Sequence, residues 1–258
     1  MQTRTTPIEM TAYRASDSEV ARIQNLMDLL PDTVGSVLDI GARDGFVSKR
    51  MADRCATVVA LDLELPVIDD ERIQCVQGNI TKLAFADSSF DAVLCAEVLE
   101  HIPADMLQTA CNELGRVTKE YLLIGVPYKQ DIRLGRTTCQ GCGKVNPPYG
   151  HINSFDEIVL NGLFNGFTAV KTSFVGETTA RTNFMSAALM NIAGNPFGTY
   201  SQDEPCIHCN ASLGTPPARN IWQKIATRMA FWGNRIQQIQ DTKHANWIHL
   251  LMKKTSLG

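Results

Sequence analysis

A chain that alternates short, unbroken apolar runs with helix-spaced segments has few folds open to it, and the first half of this sequence does so repeatedly. Ser36-Val-Leu-Asp-Ile runs straight into Gly41, and Thr57-Val-Val-Ala-Leu ends at Asp62. Arg72 to Val76, Phe90 to Cys95 and Tyr121 to Val126 follow in turn. Such runs are short for helices, and continuous ones such as Thr57-Val-Val-Ala-Leu fit strands covered on both faces. Helical stretches separate them at Val47 to Arg54 and Met106 to Arg116. Another precedes them, Ser16 to Leu30, where Val20, Ile23, Leu26 and Leu30 keep helical spacing, Ser16 or Ser18 caps the start and Pro31 ends it. The alternation predicts a parallel sheet with helices on both faces. Further on, Ser154-Phe-Asp-Glu157 reads as a capping box for a helix that Asn165-Gly166 closes. Phe167 to Val175 reads as a sixth strand and Trp247 to Met252 as a last one.

The chemistry-bearing residues cluster where these strands end. Asp39-Ile-Gly41-Ala42-Arg43-Asp-Gly45 links the first strand to a helix, and glycine at such a turn lets the backbone approach a ligand closely. Asp62 closes the second strand, where a carboxylate can hold both hydroxyls of a ribose. Gly78-Asn79 follows the third, and Ala96-Glu97-Val-Leu-Glu-His101-Ile follows the fourth. The carboxyl edge of an open parallel sheet is where such folds bind ligands. A dinucleotide-binding G-x-G-x-x-G turn would need a third glycine that this loop lacks.

With those residues in place, Asp32 to Tyr128 resembles the class I S-adenosylmethionine-dependent methyltransferases, in the branch that carries Glu-Val-Leu-Glu-His-Ile after strand four. The resemblance implies an α/β, Rossmann-like, seven-stranded, mostly parallel sheet with one antiparallel strand near the end, and S-adenosylmethionine as cofactor. It implies that Asp39 and the loop of Gly41, Ala42, Arg43 and Gly45 hold the methionine part. Asp62, with Leu63 beside it, would take the ribose, Asn79 and Ile80 the adenine, and Ala96 and Glu97 would line the pocket. Arg43 stands where the family has the middle glycine of its loop. An arginine makes the turn if its φ is negative and its side chain points away.

Two stretches break the alternation, Lys129 to Asn153 and Gly176 to Ala245, and each carries a Cys-x-x-Cys pair. Cys139, Cys142, Cys206 and Cys209 are the set that a structural four-thiolate zinc site needs, and Gly141 suits the first knuckle. His208 lies inside the second knuckle as a substitute ligand. Cys55, Cys75, Cys95 and Cys111 stand alone and read as small buried hydrophobes. The expected organisation is a cofactor-binding core over residues 1–128, a first insertion at 129–153, a return to the core at 154–175, a second insertion at 176–245, and a final strand and tail at 246–258. Strands five and six are expected to be parallel, so both insertions leave from the cofactor edge and form a zinc-pinned lid.

Methyl transfer to a hydroxyl requires a proton acceptor, and two histidines are placed for it. His101 follows strand four, one helical turn from Glu97, and His151 precedes the capped helix. The Cys-x-x-Cys followed by Gly150-His151 and Ser154-Phe resembles glycan-modifying methyltransferases. The expected acceptor is therefore a sugar, glycan or other polar small molecule. A nucleic-acid methyltransferase or zinc-knuckle binding module is the alternative, and the net charge of −3 speaks against nucleic acid as a partner. Met1 to Ala12 lacks the apolar run of a secretory signal, and no segment approaches the ~20 apolar residues of a membrane span, which leads to the expectation of a cytoplasmic protein. Arg219 to Ile239 forms an amphipathic pattern with Ile221, Trp222, Ile225, Met229, Trp232 and Ile236 on one side. From Arg219 onward seven basic residues, Arg219, Lys224, Arg228, Arg235, Lys243, Lys253 and Lys254, stand against Asp241 alone. The stripe is expected to pack on its own domain, with peripheral membrane contact or a polyprenyl-linked substrate as the alternative.

Overall fold

The computed structural model describes residues 14–202, 204–216, 218–238 and 242–255. Met1 to Ala12, Ile239 and Asp241 lie outside the described residues. Along the chain run α1 (Asp17–Leu29), β1 (Ser36–Ile40), α2 (Phe46–Ala52), β2 (Thr57–Asp62), β3 (Ile73–Gln77), β4 (Phe90–Ala96), α3 (Ala104–Val117) and β5 (Thr118–Pro127). Then come the two-residue strands β6 (Thr137–Thr138) and β7 (Val145–Asn146), α4 (Glu157–Leu163), β8 (Phe167–Val175), α5 (Phe184–Ile192), α6 (Ile221–Gln238) and β9 (Trp247–Lys254). They divide into two compact units. One, built on the large sheet, holds the described residues from Arg14 to Tyr128, Phe155–Gly176 and the described residues from Ala245; the other, which carries the cysteine pairs, holds Lys129–Ser154 and Glu177–His244.

The sheet unit has seven strands in the order β3-β2-β1-β4-β5-β9-β8. β1 to β5 run parallel, and β9 is antiparallel to both β5 and β8. Successive side chains on a strand face opposite ways, and on β1, β2, β4, β5 and β9 both faces are largely dry, whereas the edge strands β3 and β8 stay partly exposed. Leu38, Val93, Leu122 and Ile124 pack with Ala110 and Leu114 of α3 and Leu160 of α4, while Val37, Leu94 and Leu123 pack with Leu26 of α1 and Met51 of α2. This is why the strands read as continuous apolar text. Because β9 reverses between them, β5 and β8 are parallel, as the sequence led us to expect. Their carboxyl ends therefore lie on the same sheet edge as those of β1, β2 and β4.

Two details of this unit differ from the sequence reading. In α1, capped by the Ser16 hydroxyl accepting from the Glu19 N–H, Val20 is 54% exposed. The buried stripe runs instead through Glu19, Arg22, Ile23 and Leu26. Arg22 donates from both ends of its guanidinium to the Glu19 carboxylate, at 2.8 and 2.9 Å, and this fork satisfies charges that could not otherwise be buried. Burial would push the Glu19 carboxyl up, but Arg22 and Arg14 together hold it below its ordinary value. In α4, the cap is Asp156, whose carboxylate accepts from the Val159 N–H at 2.9 Å, not Ser154. Phe155 is buried and bridged in parallel to Tyr128, so the backbone is still extended there and the helix starts two residues late for a Ser154 box.

In the cysteine-bearing unit, the short β6-β7 hairpin flanks the first cysteine pair, and α5 packs against α6. The Asn183 side chain caps α5 through the Ser186 N–H. The apolar stripe of α6 does not pack on its own domain, contrary to expectation. Ile221, Trp222, Ile225, Met229, Trp232 and Ile236 are all exposed. The side turned inward is small and polar, with Ala226, Thr227, Ala230 and Asn234 buried. Hydrogen bonds hold it there: Thr182 Oγ1 donates to Asn234 Oδ1 at 2.7 Å, and Asn183 Nδ2 to the Gly233 carbonyl at 3.4 Å.

Candidate active site and cysteine centre

At the carboxyl edge of the sheet, the turn after β1 is built from residues with positive φ: Gly41 (78°), Arg43 (46°) and Gly45 (73°). A Cβ on Gly41 would stand 2.4 Å from Val98 Cγ2, so both backbone and space demand glycine. Arg43 therefore does not take the negative φ expected of it. It adopts the left-handed conformation that suits the family's glycine, at a cost of about 1–2 kcal/mol. In that conformation its N–H donates to Asp62 Oδ2 at 2.9 Å, and the Leu63 N–H donates to Asp62 Oδ1 at 2.7 Å. Asp62 is thus aimed by one bond on each oxygen, and each oxygen retains acceptor capacity. Leu63 itself is exposed.

Behind the loop, Asp39 is buried and accepts from Ser48 Oγ at 2.6 Å, which also ties β1 to α2. Burial raises its carboxyl to about 7, against the pull of that hydroxyl. Asn79 turns its side-chain oxygen onto the Thr81 N–H and hydroxyl at 2.9 and 2.8 Å, leaving Ile80 buried below. Ala96 ends β4, and Glu97 follows with φ 59°, its N–H held by the Gly125 carbonyl at 2.9 Å. A non-glycine residue strained in this way at a strand end is a mark of functional sites. Trp247 Nε1 donates to Glu97 Oε2 at 3.2 Å, while Oε1 is shielded from solvent with no hydrogen-bond partner among the described residues. Burial pushes the Glu97 carboxyl up, opposed by Arg22 and Trp247. Nearby Glu100 is fully buried, its oxygens likewise unpartnered, and it is pushed well up by burial and then by Glu97.

Trp247, Glu100 and the Arg22–Glu19 pair were not singled out as site residues from sequence. His249 of β9 is buried, within 2.7 Å of Asn25 Oδ1 through Nδ1, and lowered by burial to about 3, so it is a neutral imidazole. Glu97 and His101 do not form a helical i,i+4 pair. The strained Glu97 precedes a single 3-10 turn over Leu99–His101, and helix α3 begins only at Ala104. His101 belongs to the sheet unit and His151 to the other. Within its own unit His151 is buried, with Nδ1 2.7 Å from Gln130 Oε1 and its ring 5.8 Å from that of Tyr149. The tautomer that carries its proton on Nδ1 donates to Gln130 Oε1 and leaves Nε2 as the acceptor.

The two cysteine pairs come together within one unit. Cys139 Sγ lies 3.7 Å from Cys209 Sγ, Cys142 Sγ lies 3.6 Å from Cys206 Sγ, and all four sulfurs fall within 4.8 Å of one another. Sulfurs about 2.3 Å from a tetrahedral ion would be ~3.8 Å apart, whereas a disulfide needs ~2.05 Å. The knuckles share one hydrogen-bond pattern. Cys139 N–H donates to the Lys144 carbonyl and Gly143 N–H to the Cys139 carbonyl; Cys206 N–H donates to Ala211 and Asn210 N–H to Cys206. The closing residue has positive φ in both, Gly143 at 70° and Asn210 at 58°. Burial raises the Cys206 thiol, but the His208 and Cys209 N–H groups donate to its sulfur and outweigh it, bringing it to about 6. His208 is turned to the Val145 carbonyl at 3.2 Å, and the sulfurs alone complete the four-membered set.

Residues 38–122 match the Methyltransferase domain family, a third of the chain that contains Asp39, the Gly41 to Gly45 turn, Asp62, Asn79 and Glu97. A ubiquinone biosynthesis O-methyltransferase of Pseudomonas fluorescens (strain SBW25) is 39% identical over 77 residues, 26% of this chain and 33% of that protein. The demethylmenaquinone methyltransferase of Renibacterium salmoninarum is 37% identical over 101 residues, 35% of this chain and 42% of that one. The matches thus span less than half the length of either curated relative. Among solved structures, the Burkholderia thailandensis 1,6-didemethyltoxoflavin-N1-methyltransferase, with S-adenosylhomocysteine bound, superposes with a TM-score of 0.52 over 99% of this chain and 93% of that one, at 15% identity. The fold is that of the class I methyltransferases.

Proposed function

We propose that the protein transfers the methyl group of S-adenosylmethionine to a hydroxyl of a sugar, glycan or other polar small molecule. The observation that carries the reading is the donor-seeking edge of the sheet. Asp62 presents an aimed carboxylate, and Glu97, just past the end of the strand that pairs with β1, keeps Oε1 buried without a donor among the described residues. A ribose diol and the ammonium of a methionine supply the donors those oxygens lack. Asp39, the Gly41, Ala42, Arg43 and Gly45 turn, Asp62, Leu63, Asn79, Ile80, Ala96 and Glu97 would hold that cofactor, which supplies an electrophilic methyl group on a sulfonium. A hydroxyl acceptor is favoured because the matched Pseudomonas protein is named as an O-methyltransferase. Cys139, Cys142, Cys206 and Cys209 would hold a zinc ion with a structural role, since four thiolates leave no open position for chemistry.

A hydroxyl must lose its proton as the methyl arrives, and His151 and His101 are the candidate bases. In the tautomer that donates from Nδ1 to Gln130 Oε1, His151 leaves Nε2 as the accepting nitrogen. The test is transfer of label from methyl-labelled S-adenosylmethionine to a panel of glycans and phenolic or sugar hydroxyls. With an acceptor in hand, His151→Ala should lower turnover by about 10²–10⁴-fold while cofactor affinity is unchanged, and His151→Gln, which cannot take the proton, should fall equally far. Near-normal turnover in both variants would remove His151 from the chemistry. Failure of any hydroxyl to accept label, alongside transfer to an amine or carbon, would overturn the acceptor class.

A further inference from the structure

We propose that the α5-α6 pair attaches the protein to the surface of an anionic lipid bilayer, a role that does not depend on the methyl-transfer reading. The carrying observation is that α6 is built inside out. At 100° per residue, Ile221, Trp222, Ile225, Met229, Trp232 and Ile236 fall within one arc of about 100°, and all six are exposed. The opposite side, which an ordinary surface helix would give to water, is the buried one. The three remaining cations of the helix, Lys224, Arg228 and Arg235, are exposed and fall together along one border of the apolar arc. From Arg219 to Gln238 there is no acidic residue. α5 adds exposed Phe184, Met185 and Ile192 and turns Ser186 and Ala187 inward. The two helices approach closely: a Cβ on Gly233 would stand 2.5 Å from Ser186 Oγ.

These properties identify the occupant. Apolar residues including tryptophan, bordered by Lys and Arg on a helix of low net hydrophobicity, are what a helix lying in the headgroup plane requires. The cations specify a negatively charged surface. A second copy meeting this face through α5 and α6 would offer the cationic border no acidic partner, since neither helix carries an acidic residue. No helix among the described residues is long and apolar enough to cross a membrane, so the attachment is to one leaflet.

The test is co-sedimentation of the full chain with vesicles of phosphatidylcholine containing 30% phosphatidylglycerol, in ~50 mM salt, against vesicles of phosphatidylcholine alone. The expected result is binding to the anionic vesicles, with a blue shift of tryptophan emission. Trp222→Glu with Trp232→Glu should abolish it; both side chains are exposed, so the fold should persist, checked by circular dichroism. Lys224→Gln, Arg228→Gln and Arg235→Gln should each weaken partitioning about fivefold and together erase the preference for anionic lipid. Equal binding to both vesicle types, no binding to either, or unaltered binding by the Trp variant would overturn the proposal. So would a concentration-dependent dimer that the Trp substitutions dissolve in a chain that ignores vesicles.

Discussion

Asp39 shows how a single residue can be read correctly as to place and incompletely as to state. Its position before the glycine turn marked it as a site residue, but only the fold reveals a fully buried carboxyl raised to about 7. The raised value fixes the sign of a pH effect. The folded protein keeps a proton that the unfolded chain, with an ordinary value near 3.8, releases, so this contribution is fully present below about pH 4 and is lost as pH rises through about 7. The shift corresponds to something on the order of 4 kcal/mol. Asp39→Asn keeps an acceptor for Ser48 and removes the titration. Denaturant unfolding of the wild type should lose stability between about pH 4 and 7 relative to this variant; parallel pH profiles would show that Asp39 is ionised throughout. Arg43 and Val20 were misread for a related reason. Spacing shows which positions share a helix face but not that a paired Glu19 and Arg22 can displace a valine from it, and sequence does not show that a loop can force an arginine to positive φ.

At the scale of elements, strands were legible because burial on both faces leaves little but apolar residues in them. The start of α4 was not, since Ser154 and Asp156 are equally good caps and the choice depends on a bridge between Tyr128 and Phe155. The two cysteine knuckles were found by spacing, and the structure adds their shared backbone pattern. A zinc ion there would couple coordination to local order. Protein purified without added metal should contain close to one zinc per chain. Chelation should increase amide exchange around Cys139–Cys142 and Cys206–Cys209 while β1 to β5 stay protected. Absence of zinc from fully reduced protein would refute the centre. The α6 helix was legible in its periodicity alone. The amphipathic pattern is the same whichever face is buried, and only the small buried residues Ala226 and Ala230 beyond the stripe, with Gly233 at its edge closely approached by Ser186 of α5, decide which one is.

At the scale of the whole molecule, the seven-stranded sheet with its single antiparallel strand was what the resemblance over Asp32 to Tyr128 implied. The chain departs from the sheet after β5 and β8 and returns before α4 and β9, so the second unit is composed of two separated segments. Their cysteines gave the hint that these segments fold together, because a four-thiolate set needs both. Roles for the histidines were less legible: His249 is on a core strand and neutral, and nothing in one sequence separates such a residue from a base. The account as a whole rests on the carboxyl edge of the sheet holding S-adenosylmethionine, and calorimetric titration of that compound into the wild type and Asp62→Ala tests it most directly. The loss of charge-assisted hydrogen bonds of ~1.5–3 kcal/mol each should weaken binding by roughly tenfold or more in the variant, with its unfolding transition unchanged. Equal affinity in the two proteins, or no binding to the wild type, would contradict it.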